Sequence, residues 1–256
     1  MQIPVQLQER RIEGVGTTDQ QWQAWPGLAL MPTITAHALA PPGRRVVIVA
    51  PHPDDEVLAC GGLLQLLVAQ GNHIVLVAVT DGDASHPGSA LWPPERLRRM
   101  RPLESAQALS ALGMAFDNCV RTGLPDGGVT GQLTRLRARL AALLHPGDIV
   151  LTTWRLDGHP DHEACGLACA SAAADSGATL VEMPVWTWHW ATPGDMRVPW
   201  QRTHRLLLPD AVLQRKRTAL HCFASQMQTD TSTGQPPIVA PHALERLLHP
   251  YEVYFL

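Results

Sequence analysis

Val46-Val47-Ile48-Val49-Ala50-Pro51-His52-Pro53-Asp54-Asp55-Glu56 decides how this chain is read. Its first five residues form a short apolar, mostly β-branched run, the pattern of a parallel strand buried on both faces. The run passes directly into a polar turn that carries His52, Asp54 and Asp55 and is stiffened by Pro53. An apolar stretch then predicts a helix through about Ala69, with Gly71 at its C-terminal end.

The same alternation continues outward. His73–Thr80 predicts a second strand, ending in the polar turn Asp81-Gly82-Asp83. Pro93-Pro94-Glu95 marks a helix start that runs to about Leu112 and stops at Gly113. A strand near Cys119–Thr122 leads to the turn Leu124-Pro125-Asp126-Gly127. A helix over about Gln132–Leu144 and a core strand over Asp148–Thr153 follow. After His159-Pro160-Asp161-His162, an Ala-rich helix runs to about Ala174, and Thr179–Trp188 reads as a further strand. Strands alternating with helices predict an α/β fold, a mostly parallel sheet with helices on both faces. Residues 1–44, broken by Pro26, Pro32, Pro41 and Pro42, are expected to be an irregular arm pinned by Trp22 and Trp25. Residues 45–256 are expected to be one domain, with a C-terminal extension from about 190.

Composition narrows the function classes. With 45% hydrophobic and 17% charged residues, the 256-residue chain has ample material for a core. A net charge of −3 provides no basic field for nucleic acid or an anionic membrane. Five cysteines, an odd number in a long chain, are expected to be reduced core thiols. No charged n-region precedes an apolar h-region, and no long apolar run is present. The default expectation is a cytoplasmic enzyme without a membrane span.

Sites in open α/β sheets lie beyond the carboxyl ends of the strands. His52 follows the first strand, and His159 lies six residues after the strand ending at Thr153. Two distant motifs at one sheet edge can therefore converge. His52, Asp55 and His162 offer two imidazoles and a carboxylate, a donor set that suits zinc with an open position for water. Asp54 is placed to act as general base beside such a site. His159 is placed to stabilise an oxyanion, and Asp161 to orient a neighbouring histidine. The plainer reading makes Asp54, Asp55 and His159 helix caps or loop residues. Two matching motifs at matching strand ends favour the chemical one.

The run Val47–Glu56 resembles the opening motif of the PIG-L/LmbE-like (GlcNAc-PI de-N-acetylase-like) deacetylases, and His159-Pro160-Asp161-His162 resembles their second motif. Thr80-Asp81-Gly82, Arg101-Pro102-Leu103-Glu104, Leu124-Pro125-Asp126-Gly127 and, loosely, Lys216…His221…Ser225-Gln226 extend the resemblance over residues 45–227. It implies a Rossmann-like three-layer α/β/α fold and metal-dependent hydrolysis of an N-acetyl group, typically on an N-acetylglucosamine conjugate. It implies metal ligation by His52, Asp55 and His162, with Zn2+ as the ion or another divalent ion such as Fe2+. It also implies Asp54 as base, His159 as support of the tetrahedral intermediate, and Arg101 as a binder of substrate hydroxyls. Two departures stand out: Pro51 replaces an alanine, and Asp157 stands where some members carry a tyrosine oxyanion donor.

Asp126 is a further candidate for a sugar hydroxyl. His189, within Trp186-Thr187-Trp188-His189-Trp190, is a candidate for a sugar-stacking wall. Asp81 and Asp83 face the same edge, and His221 could reach it. His73, His86, His145, His204, His242 and His249 lack partner spacing. Three rivals remain. One is a deacylase of another small N-acyl amine. A second is an iron(II) oxygenase with a two-histidine-one-carboxylate triad. The third is a catalytically silent binding protein on the same scaffold; G-x-G-x-x-G is missing after the first strand, which argues against a dinucleotide module.

Overall fold

The computed structural model describes residues 10–114 and 118–256, so residues 1–9 of the expected arm lie outside the described part. In chain order the described elements are α1 (Asp19–Gln23), α2 (Pro26–Leu30), β1 (Thr33–Ile34), α3 (Ala36–Leu39), β2 (Arg45–Ala50), α4 (Asp55–Ala69), β3 (His73–Thr80), α5 (Pro94–Ala111) and β4 (Cys119–Leu124). They continue as α6 (Leu133–Leu143), β5 (Ile149–Thr153), α7 (Pro160–Ser176), β6 (Thr179–Met183), α8 (Thr187–Trp190), β7 (Thr203–Leu207), α9 (Asp210–Leu220), α10 (Ala224–Met227), α11 (Pro241–Glu245) and β8 (Tyr251–Phe255).

The described strands form one sheet in the order β1-β7-β8-β6-β5-β2-β3-β4. All pairings are parallel except those of β8 with β6 and β7. β2 lies inside the sheet, with β3 on one side and β5 on the other. Its alternating residues face two different layers. Val46, Ile48 and Ala50 join a core with α4, α5 and α9, and Val47 and Val49 join a core with α6 and α7. Both faces are covered, which is why the strand reads as an unbroken apolar run; each buried valine or isoleucine contributes about 1.5–3 kcal/mol.

The structure corrects three expectations about the ends of the chain. The described part of the arm is ordered into three short helices and a strand, and β1 pairs with β7. Trp22 is 1% exposed and donates from Nε1 to Trp188 O. The stretch after residue 190 is part of the sheet, since β7 and β8 extend it. The strand expected over Thr179–Trp188 ends at Met183, and α8 begins at Thr187. Among the described residues no helix is long and apolar enough to cross a membrane. All five cysteines are free.

α4 is broken at Cys60, whose φ/ψ of −139°/21° is non-helical. Its second half starts at Gly62 and Leu63, whose N–H groups donate to the carboxylate of Glu252 on β8. That buried carboxylate also accepts from Lys216 Nζ at 2.7 Å and from Tyr254 Oη. Lys216, the chain's only lysine, is 1% exposed. A Cβ on Gly62 would lie 2.5 Å from Leu208 Cδ2 and 3.0 Å from Glu252 Oε1, so glycine is required for the close approach.

Candidate active site

Sheet order brings the two His-Asp motifs together. β2 and β5 are neighbours, and the turns leaving their carboxyl ends meet where the chain connections diverge, the usual site position in such folds. His52 and Asp54 come from the turn after β2, and His159 and His162 come from the start of α7. They line a cavity of about 320 Å³ with Asp55, Leu58, Ala84, Ser85, Arg101, Asp126, Gly127, Trp186, Gln226, Ile238 and Val239.

Asp55 Oδ2 is the meeting point. It lies 3.2 Å from His52 Nδ1 and 3.2 Å from His162 Nε2, and it accepts the His52 backbone N–H. His162 Nε2 is buried without a hydrogen-bond partner, while Nδ1 lies 2.8 Å from Asp157 Oδ2. Ligand atoms about 2.1 Å from a tetrahedral ion sit about 3.4 Å apart, so the two spacings to Asp55 and the orphaned nitrogen suit ligands of a divalent cation. Among the described residues, His52, His159 and His162 form one group of ligand-type side chains, and His52, Asp126 and Asp161 form another.

Hydrogen bonding assigns the nitrogens of these histidines and the partners of these carboxylates. His159 Nδ1 accepts the Asp161 backbone N–H, so a neutral His159 carries its proton on Nε2. Burial, then the nearby His162 and His52, push His159 down to about 4, which keeps it neutral. It is thus a donor toward the cavity rather than a ligand. It also caps α7 through the same Nδ1, so the plainer capping role and the chemical one coexist. His52 Nε2 lies 3.2 Å from both Asp126 Oδ1 and Asp161 Oδ2. Asp161 in addition accepts from Gly127 N and Val129 N, which fixes the turn that presents Asp126. The remaining His52 nitrogen, Nδ1, is the one that faces Asp55.

Charge in the cluster is strongly biased. Burial works against ionisation of Asp55, yet His162 and His52 outweigh it and hold the carboxyl below its ordinary range. Burial also works against charge on His162, but Asp55 and Asp157 lift it to about 9. Asp126 is held at about 2, mainly by His52, against its own burial. Asp54 is the exception: burial raises it to about 7, with Arg101 pulling the other way.

Asp54 has φ +137°, the only described non-glycine residue with a positive φ. No side-chain cap bond is made by Asp54 to α4, so the capping reading fails for it. Strain of this kind persists only where neighbours enforce it. Glu56 accepts the Asp54 N–H and the Ser105 hydroxyl. Arg101, 3% exposed, donates to Pro53 O, Gly82 O and Asp54 Oδ2. Three of its contacts are therefore spent on holding the turn and Asp54, a role the sequence reading did not assign. Gly82 must be glycine here: its φ is +66°, and a Cβ would lie 2.0 Å from Arg101 Nη1.

Other candidates are scattered. His189 does not line the cavity: Nε2 faces Glu13 O at 3.0 Å and Nδ1 faces Arg246 Nη1 at 3.1 Å. The expected stacking wall is reduced to Trp186, because the helical turn of α8 sends its neighbours elsewhere. Trp188 is in the arm cluster, and Trp190 stacks on Trp154. Asp81 and Asp83 are paired with Arg121 and Arg98, and His221 is exposed. Leu58, Ser85, Ile238 and Val239 went unnoticed in the sequence, and Glu56, the last residue of the opening motif, was assigned no role there.

Fold and site together define a Rossmann-like α/β protein with a candidate metal centre at the strand ends. Residues 47–173 match the family model PIG-L, described as GlcNAc-PI de-N-acetylase. Over residues 47–173 the chain belongs to this PIG-L/LmbE-like family. It is 37% identical over 178 residues to a 1D-myo-inositol 2-acetamido-2-deoxy-alpha-D-glucopyranoside deacetylase of Catenulispora acidiphila, covering 56% of this chain and 53% of the relative. It is 25% identical over 137 residues to a diacetylchitobiose deacetylase of Thermococcus kodakarensis, covering 52% of this chain and 51% of the relative. The chain thus spans about half the length of these curated relatives. Its fold is similar to that of the A40926 pseudoaglycone deacetylase, with a TM-score of 0.61 at 20% identity, covering 82% of this chain and 96% of that one. A conserved protein of Thermus thermophilus gives a TM-score of 0.55 at 24% identity, covering 78% of this chain and 83% of that one.

Proposed function

We propose that this chain is a metal-dependent N-deacetylase that hydrolyses the acetamide of an N-acetylglucosamine-type conjugate, with zinc as the ion. The observation that carries this reading is the cavity itself. A two-histidine-one-carboxylate cluster, a strained Asp54 that makes no cap bond, and a neutral donor histidine share it. An iron(II) oxygenase would use the same cluster but leave Asp54 and His159 without work. Relatives named as deacetylases of acetamido sugars support the substrate class.

His52 Nδ1, Asp55 and His162 Nε2 would hold the ion. When bound, it supplies a Lewis acid that polarises the amide carbonyl and makes water nucleophilic near neutral pH. Asp54 takes a proton from the attacking water as the new C–O bond forms. His159 Nε2–H donates to the carbonyl oxygen as it gains negative charge. Asp54 then delivers the proton to the departing nitrogen, the C–N bond breaks, and acetate and a free amine result. Arg101 holds Asp54 in place, and Asp126 and Trp186 offer a hydroxyl acceptor and an apolar face to the sugar.

The test is acetate release from N-acetylglucosamine, its myo-inositol glycoside and diacetylchitobiose, before chelation, after it, and after zinc or iron(II) is restored. Release that stops with chelator and returns with metal is expected; release that ignores the chelator overturns the proposal. His162→Ala is expected to remove most bound metal, read by elemental analysis, and to lose activity with it. Glu56→Ala should keep the metal but lower kcat roughly 10–100-fold, because the Asp54 N–H then loses its acceptor and Arg101 alone holds the costly conformation. Unchanged kcat in that variant would show that the Asp54 conformation does not depend on Glu56.

A further inference from the structure

Asp157 occupies the position where an oxyanion donor was expected, and its surroundings rule that role out. It is 0% exposed, and it does not line the cavity. Its Oδ1 accepts from Val185 N, Thr187 N and Thr187 Oγ1, and its Oδ2 faces His162 Nδ1 and Trp186 N. Five donors surround a group that has only lone pairs to give. We infer that Asp157 is a positioning residue that fixes the tautomer of His162 and ties that ring to the Trp186 wall of the cavity. The inference rests on the proposed metal site.

With a cation in place of the Nε2 proton, His162 is a neutral imidazole, which carries one N–H. An acceptor-only carboxylate 2.8 Å from Nδ1 keeps the proton there, which leaves the Nε2 lone pair free. That nitrogen faces Asp55 and is buried without a hydrogen-bond partner. The same carboxylate gathers three successive N–H groups, 185 to 187, and so sets the turn from which Trp186 enters the cavity. The loop is held from the other side as well: Trp190 Nε1 donates to Asp157 O at 2.7 Å. Gly158, at φ +97°, makes the tight link to His159, where a Cβ would lie 2.8 Å from Trp190 Cδ1. One buried side chain therefore sets both a metal ligand and a substrate wall.

A purely structural role would make Asp157 only the anchor of the 185–187 turn. Asp157→Asn, read beside a variant that weakens only the anchor, separates the two roles. Its amide oxygen can still serve Val185 and Thr187, while its NH2 gives up the Trp186 N–H bond and faces His162 Nδ1, favouring the opposite tautomer, with Nε2 protonated and unable to ligate. Zinc and cobalt(II) affinities, measured by competition with a chromophoric chelator, are expected to weaken by about 10–100-fold. Thr187→Val removes one anchor bond without touching His162; it should lower the unfolding midpoint and leave zinc affinity at the wild-type value. Wild-type zinc affinity in Asp157→Asn, or a loss of equal size in Thr187→Val, overturns the inference. Should Asp157→Asn not fold, long-range 1H–15N spectra of the zinc-loaded wild type decide: a protonated His162 Nδ1 is expected, and a bare or zinc-ligated Nδ1 overturns it. A protein that binds zinc through His162 Nε2 but releases no acetate would sink the deacetylase reading and leave this inference standing. Deacetylation with unaltered zinc binding in Asp157→Asn would do the reverse.

Discussion

Asp54→Asn is expected to retain its metal and lose turnover by about 10²–10⁴, the range for removal of a general base. That is about 3–5.5 kcal/mol of transition-state stabilisation. Asparagine is nearly isosteric, tolerates a positive φ better than most residues, and still offers an oxygen to Arg101 Nη2, which lies 3.1 Å from Asp54 Oδ2. What it cannot do is take a proton. Burial holds the Asp54 carboxyl near 7 in the metal-free chain, with Arg101 opposing. A cation held next door by His52, Asp55 and His162 favours the ionised form, so the base is charged when it is needed. Single-turnover acetate release, normalised to metal content by elemental analysis, measures the effect. Full activity in a metal-loaded Asp54→Asn protein would remove Asp54 from the chemistry and leave the water without a base.

Glu252→Ala carries the largest expected effect on stability, about 3–5 kcal/mol, because it leaves a buried ammonium uncompensated. Lys216 is 1% exposed and Glu252 4% exposed, with 2.7 Å between Nζ and Oε1. The substitution also strips acceptors from Gly62 N, Leu63 N and the Tyr254 hydroxyl. For a chain of this size the loss corresponds to a Tm decrease of roughly 6–20 °C. The double variant Lys216→Met, Glu252→Leu should be less destabilised than Glu252→Ala, since no charge is left without a partner. Denaturant titration of both proteins checks this. A change below about 0.5 kcal/mol in Glu252→Ala, the scale of an ordinary surface substitution, would show that the pair contributes little to stability.

Legibility in the sequence tracked how local the signal was. β2, β3 and β5 were readable because each is a β-branched run long enough to be covered on both faces. α5 was readable from its proline start, α7 from its run of alanines, and α5 and α4 from the glycines that end them. The arm was misread because helices of four or five residues, such as α1 and α3, have no room for a period to repeat. β7 and β8 were missed for a related reason: Thr203–Leu207 and Tyr251–Phe255 mix polar and apolar residues, and it is their pairing with each other and with β1 and β6 that makes them strands. Trp186–Trp190 looked like a strand end because tryptophan and threonine favour strands, but Asp157 collects its N–H groups into a helical turn.

The site divides along the same line. Which side chains the proposed chemistry uses was local information, since His52, Asp54 and Asp55 adjoin one strand end and His159 and His162 another. The pairing of β2 with β5 that brings them together, the use of Arg101 to hold Asp54, the withdrawal of His189 to the arm and the turning of Asp157 onto His162 were not. By itself the sequence determined the alternating α/β layout and the inventory of donors, because periodicity and turn chemistry act over a few residues. Only the tertiary structure decided which nitrogen of each histidine faces the cavity and which carboxylate orients it, because those choices depend on hydrogen-bond partners as many as 109 residues apart, as between His52 and Asp161.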